Sequence, residues 1–146
     1  MKDWDIKTIV LGYDGSEGAD QAVPLASMLA RQNDARIVVV STFEVRHTGV
    51  DMPVGHEVGK RATRMIAKAQ DTAQELVLEL QAAGIEAEPD VLEGPAGDAL
   101  LRVAETRDAD LVVVGRRGRG LIAGLLLGST SEYVVRRAKV PVLVAH

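Results

Sequence analysis

The chain has 146 residues, long enough for one domain with a buried core and too short for two ordinary ones. Apolar residues at 47% and charged residues at 26% exclude a disordered chain, and aromatics at 3% leave few platforms for stacking single-stranded nucleic acid. The formal net charge is −4, yet Arg116, Arg117, Arg119, Arg136, Arg137 and Lys139 oppose only Glu132 over residues 115–139, a local excess of +5 beside a remainder of −9, which suits a small anionic ligand better than a long polyanion.

In chain order, Ile6 to Gly12 reads as a buried strand and Asp14-Gly15-Ser16 as a turn. Ala22, Val23, Ala26, Leu29 and Ala30 then recur at helical spacing until Asn33-Asp34. Arg36 to Ser41, centred on Ile37-Val38-Val39-Val40, is a second strand whose unbroken apolar run implies burial on both faces. Thr42 to about His56, with Gly49, Pro53 and Gly55, has no period and reads as a long loop. A helix follows from Glu57 to Ala83, with Val58, Ala62, Met65, Ile66, Ala69, Ala73, Leu76, Val77 and Leu80 on one stripe and Gly84 at its C-terminal cap.

Ile85 to Leu92 alternates apolar residues with Glu86, Glu88 and Asp90, the pattern of an edge strand exposed on one face. Residues 97–105 form a short helix, Leu111 to Val114 a fourth strand, Ser129 to Ala138 a last helix and Val140 to Ala145 a last strand. Strands alternating with helices predict an α/β fold: a single domain over residues 1–146 with a doubly wound five-stranded parallel sheet and helices on both faces. With strand order 3-2-1-4-5, the first and fourth strands end side by side at the point where ligands bind such sheets. Gly12-Tyr13-Asp14 and Val114-Gly115 then border one crevice.

The motif most telling of chemistry is Gly115-Arg116-Arg117-Gly118 followed by Gly128-Ser129, placed directly after a buried strand and before a helix. Glycines let backbone N–H groups approach an anion, and the helix start adds unpaired donors and the positive end of its dipole. Ser129-Thr130-Ser131-Glu132 fits a capping box, a common device that alone implies no ligand, although the Ser129 and Ser131 hydroxyls could equally donate to phosphate. Asp14 could accept from a ribose hydroxyl or base amine, or simply open its turn. Arg116 and Arg117 could pair with phosphates or remain solvated, each then worth under about 1 kcal/mol.

Other chemistries fit less well. No Gly-Lys-Ser/Thr triplet ends a Walker A loop, and Gly118-Arg119-Gly120 with Gly124 misses the dinucleotide fingerprint by one residue. The absence of cysteine excludes thiolate catalysis and disulfides, and His47, His56 and His146 do not form a helix-borne pair, so no protein-only metal site is expected. The N-terminus lacks an apolar h-region and no run is long enough to cross a bilayer, from which a cytoplasmic location is expected.

The whole pattern, Ile9-Val10-Leu11-Gly12-Tyr13-Asp14-Gly15-Ser16 at one end and Gly-x2-Gly-x9-Gly-Ser with a final Val-Pro-Val-Leu-Val strand at the other, resembles the ATP-binding branch of the universal stress protein family. The resemblance implies a stress-response protein that binds an adenine nucleotide and pairs as a homodimer through its last strand. It implies that Gly12, Tyr13 and Asp14 meet the adenosine end, with Thr42 in the segment closing over adenine. Val114, Gly115, Arg117 and Gly118 would surround ribose and phosphates, and Gly128, Ser129, Thr130 and Ser131 would hold the triphosphate. Arg116 departs from the small hydroxyl residue of many relatives, which bears on phosphate preference. ATP is the expected ligand, with Mg²⁺ bound mainly through its phosphates and no catalytic residue assigned. AMP or cyclic AMP, a Mg²⁺-dependent ATPase or nucleotidyl-transfer enzyme, and a nucleotide-free interaction module stand as alternatives.

Overall fold

The computed structural model describes residues 4–45, 56–116 and 127–146. In chain order its elements are β1 (Thr8–Gly12), α1 (Glu17–Asn33), β2 (Arg36–Phe43), α2 (His56–Ala82), β3 (Ala87–Glu93), α3 (Ala96–Thr106), β4 (Leu111–Gly115), α4 (Ser129–Arg137) and β5 (Val142–Ala145). The strands form one parallel sheet in the order β3-β2-β1-β4-β5, as expected, and every adjacent pair is parallel.

Alternation along the strands divides the interior into two layers. Ile9, Leu11, Ile37, Val39 and Val113 point to α1 and α2, while Val10, Val38, Val40, Val112 and Val114 point to α3 and α4. Both sets are nearly inaccessible to solvent, so these strands are apolar without interruption. On the edge strand β3, Glu88 and Asp90 are partly exposed and pair with Arg107 at 2.9 and 3.2 Å, while the strand's exposed residues, Pro89 and Glu93, lie on its other face. Arg107 stands just past the end of α3, so it ties that helix to the outer strand.

Several ends differ from the sequence reading, each for a local reason. β1 starts at Thr8 rather than Ile6, where Asp110 Oδ2 accepts the N–H groups of Lys7 and Thr8 at 2.8 and 2.9 Å. β2 runs on to Phe43 because β3 pairs with it there, Thr42 with Leu92 and Phe43 with Glu93. Thr42 therefore belongs to a strand and not to the start of a loop, most of which, residues 46–55, lies outside the described residues. The final strand is shorter than expected, Val142–Ala145, and forms the edge beyond β4.

Candidate binding cleft at the switch point

β1 and β4 are neighbours whose following helices leave to opposite sides of the sheet, so their C-terminal ends part around a cleft. Its empty space, counted together with the open solvent at its mouth, is about 510 Å³. Gly12, Tyr13 and Asp14 border it from β1, Val114 and Gly115 from β4, Thr42 from β2, and Thr130 and Ser131 from the first turn of α4. Those eight expected site residues are thus brought together. Gly128 and Ser129 sit beside the cleft as the cap and first residue of α4, and neither lines it. Arg117 and Gly118 lie outside the described residues.

The turn after β1 is held from three directions. Tyr13 N–H donates to Val40 O at 2.9 Å, and its own carbonyl accepts from Ser41 Oγ at 2.6 Å. Asp14 Oδ1 accepts the Ser16 N–H at 2.9 Å across Gly15, whose φ of 73° is the left-handed conformation glycine adopts freely. Ser16 Oγ then caps α1 by accepting from Ala19 N–H at 3.2 Å. The turn duty considered for Asp14 is therefore real, and the residue is also among those lining the cleft.

Tyr13 sends its ring to the α1 and α2 side, where the hydroxyl donates to Asp20 Oδ1 at 2.8 Å. Burial, the hydrogen bond to Asp20 and the negative charges of Asp20, Glu79 and Asp14 push its pKa up to about 12. The phenol is accordingly neutral at physiological pH and acts as a strut under the turn.

Two glycines shape the cleft by what they lack. A Cβ on Gly12 would stand 3.1 Å from Leu100 Cδ1 and 3.3 Å from Val114 Cγ1, so glycine there leaves the floor open. A Cβ on Gly115 would stand 2.1 Å from the carbonyl oxygen of Gly18, so the glycine lets the first turn of α1 lie against the end of β4. The conformation of Gly128, φ −72° and ψ 165°, is by contrast open to any residue.

The start of α4 corrects one expectation. Gly128, not Ser129, is the cap, it makes no side-chain cap bond, and Ser129 is the exposed first residue of the helix. The capping box fails at its other end too, because Glu132 pairs with Arg136 at 2.8 Å instead of reaching back. Backbone bonds fix the helix start instead: Arg116 N–H donates to Ala145 O, and Gly128 N–H donates to Arg116 O, both at 2.7 Å. The buried Ser131 hydroxyl lies 2.8 Å from Arg116 O and 3.0 Å from Gly128 O, so its proton is engaged inside the protein. What Ser131 offers a ligand is its main-chain N–H, which, like that of Thr130, lacks an intrahelical partner at a helix start.

Ala19, Val40, Ala96 and Leu100 also line the cleft and were not singled out from sequence. They give it an apolar floor beneath a rim of Asp14, Thr42, Thr130 and Ser131, an arrangement that fits a flat heterocycle below and hydroxyl or anionic groups above. Among the described residues no group of three or more His, Cys, Asp or Glu side chains could hold a metal ion.

Fold and cleft together define a doubly wound α/β protein with a cleft at its topological switch point. The profile of the Universal stress protein family matches residues 5–146, and the chain belongs to that family. A universal stress protein of Thermus aquaticus is 36% identical over 141 residues, covering 96% of this chain and 98% of that protein. Among solved structures, UspA of Lactobacillus plantarum superimposes with a TM-score of 0.83 at 19% identity, over 97% of this chain and 98% of its own, a likeness of fold. A universal stress protein solved in complex with cAMP is 31% identical, with a TM-score of 0.72 over 97% of this chain and 98% of its own.

Proposed function

We propose that this chain is an adenine-nucleotide-binding regulatory protein of the stress response that holds its ligand in the switch-point cleft with slow or no turnover. The observation that carries this reading is the cleft itself: an apolar floor of Val40, Leu100 and Val114, opened by Gly12, with the start of α4 at its rim. The floor suits adenine, Asp14 and Thr42 suit ribose hydroxyls, and the α4 amides suit phosphate. Arg117, Gly118, Gly128 and Ser129 complete the phosphate end in this reading. The cytoplasm, where ATP is abundant, is the compartment it implies.

Mg²⁺ would enter on the phosphates of ATP and be held mainly through them. If Asp14 meets the adenosine end, it cannot also activate water at a γ-phosphate, which makes hydrolysis slow. The expected turnover is well below about 1 s⁻¹ and unchanged in Asp14→Asn. Several ATP per second, lost in that variant, would instead mark an ATPase.

Calorimetric titration of nucleotide-free protein with ATP and Mg²⁺, at fixed salt, tests the reading. Saturable binding is expected, weakened in Thr130→Val and abolished in Gly12→Val, with melting curves confirming that both variants fold. Absence of heat in the wild-type protein, with no co-purified nucleotide to displace, overturns it in favour of an interaction module. A cyclic or monophosphate ligand is the second reading, favoured by the 31%-identical protein solved with cAMP. Competition between ATP, AMP and cyclic AMP separates the two.

A further inference from the structure

Away from the cleft, α2 carries a charge pattern that works against the helix bearing it. Ala69, Ala73, Leu76, Val77 and Leu80 bury its inner face. At 100° per residue, the exposed Lys60, Arg61, Arg64 and Lys68, and then the exposed Asp71, Glu75 and Glu79, all fall on one outer stripe. From Lys60 onward the stripe is basic in its first half and acidic in its second. That polarity opposes the helix dipole, which favours acids early and bases late, and no basic residue occupies the last turn. It also sets like charges four residues apart, Arg64 beside Lys60 and Lys68, Glu75 beside Asp71 and Glu79, each an unfavourable neighbour. Among the described residues none of the seven forms an ion pair.

We infer that this stripe docks on the same stripe of a second copy of the chain, the two α2 helices antiparallel about a two-fold axis passing between residues 69 and 70. In that register Arg64 faces the partner's Glu75, Lys68 the partner's Asp71 and Arg61 the partner's Glu79, and the symmetry repeats each pair. The aliphatic stem of Lys60 runs along the partner's Leu78, an apolar side chain that is 56% exposed in the single chain. The segregation that is unfavourable within one helix thereby becomes complementary between two, as an isologous contact requires. The stripe spans only about 28 Å of helix, so the association is weak and screened by salt.

Sedimentation velocity at about 20 mM and about 0.5 M salt tests this. The wild-type chain is expected to associate with rising concentration at low salt, with affinity falling about tenfold or more at high salt. Arg64→Glu/Lys68→Glu and Asp71→Lys/Glu75→Lys should each lose that association while keeping wild-type helicity. Mixed one to one, they should restore a species heavier than either variant alone, because a stripe acidic from residue 64 to residue 79 then meets one basic from residue 60 to residue 75. A wild-type mass independent of salt and concentration, or a mixture no heavier than its parts, overturns the proposal. Binding of the basic half to heparin or anionic vesicles without self-association overturns it as well, in favour of a polyanion partner.

Discussion

At Gly115 one hydrogen atom in place of a methyl group sets how closely α1 can approach β4, since the Cβ position lies 2.1 Å from Gly18 O and 3.0 Å from Ala19 N. Both are backbone atoms in the first turn of a helix, so neither can swing aside as a side chain would. Gly115→Ala should therefore cost about 3 kcal/mol or more, read as a lowered midpoint in urea unfolding. A cost near zero would show that α1 slides freely and that the glycine serves only the ligand. Tyr13 allows a prediction of the opposite kind, because its stabilisation depends on protonation. With a folded pKa of about 12 against the ordinary 10, the neutral phenol contributes fully below pH 10, and that contribution is lost as pH rises through 12. Stability should accordingly fall more steeply for the wild-type protein than for Tyr13→Phe between about pH 10 and 12. In the same variant, the tyrosinate absorbance that remains should belong to Tyr133, itself raised by its hydrogen bond to Asp98. Equal slopes in the two proteins would mean that the phenol is as well solvated folded as unfolded.

Among the elements, α1 runs unbroken from Glu17 to Asn33 although Pro24 lies inside it. The ring removes the N–H that would bond Asp20 O, and because both residues are exposed, water can reach the freed carbonyl. Packing of Ala19, Ala22, Ala26 and Ala30 against the sheet outweighs this local penalty. Pro24→Ala should then stabilise the protein by about 1–3 kcal/mol, the helix gain less the chain entropy that proline removes from the unfolded state. A drop in melting temperature instead would show that the ring itself packs usefully. Pattern reading is strong where burial on both faces leaves one apolar signature, as in Ile37 to Val40; the alternating acids of β3 mark an edge strand, although its exposed residues are Pro89 and Glu93. It is weak where the outcome depends on partners distant in sequence. Thr42 and Phe43 join β2 only because β3 offers Leu92 and Glu93 opposite them. The capping box at Ser129 is overridden by the Arg136 partner of Glu132 and by the Arg116 carbonyl that Gly128 and Ser131 share. In the cleft, Asp14 and Gly115 carry their own signals of turn and close approach. Val40 and Leu100 are ordinary core residues by type, and only the strand order brings them to the floor.

For the whole molecule, the question is what covers the outer side of β5, which pairs with β4 alone among the described residues. The carbonyls of Pro141 and Ala145 accept from Val112 and Arg116 of the β4 side at 3.0 and 2.7 Å. By the two-residue period of a strand, Leu143 also faces β4, which turns the backbone groups of Val142 and Val144 outward. An apolar edge with open donors invites another strand, and we propose that the homodimer forms there. Val144→Pro removes one outward N–H without touching the β4 ladder, a position at which an edge strand tolerates proline. The variant should be a monomer by light scattering at high salt where the wild-type chain is a dimer. The α2 stripe lies over β2 and β3, at the far side of the sheet, so the two contacts do not compete. A dimer joined through β5 would still present two free α2 stripes, and at low salt it should grow with concentration beyond a dimer. Val144→Pro should stop that growth at a pair joined through α2, Arg64→Glu/Lys68→Glu should stop it at a pair joined through β5, and the combined variant should be a monomer at every salt concentration. Growth past a pair in either parent variant would mean that a third surface joins the copies, and a wild-type mass fixed at one chain would remove both contacts at once.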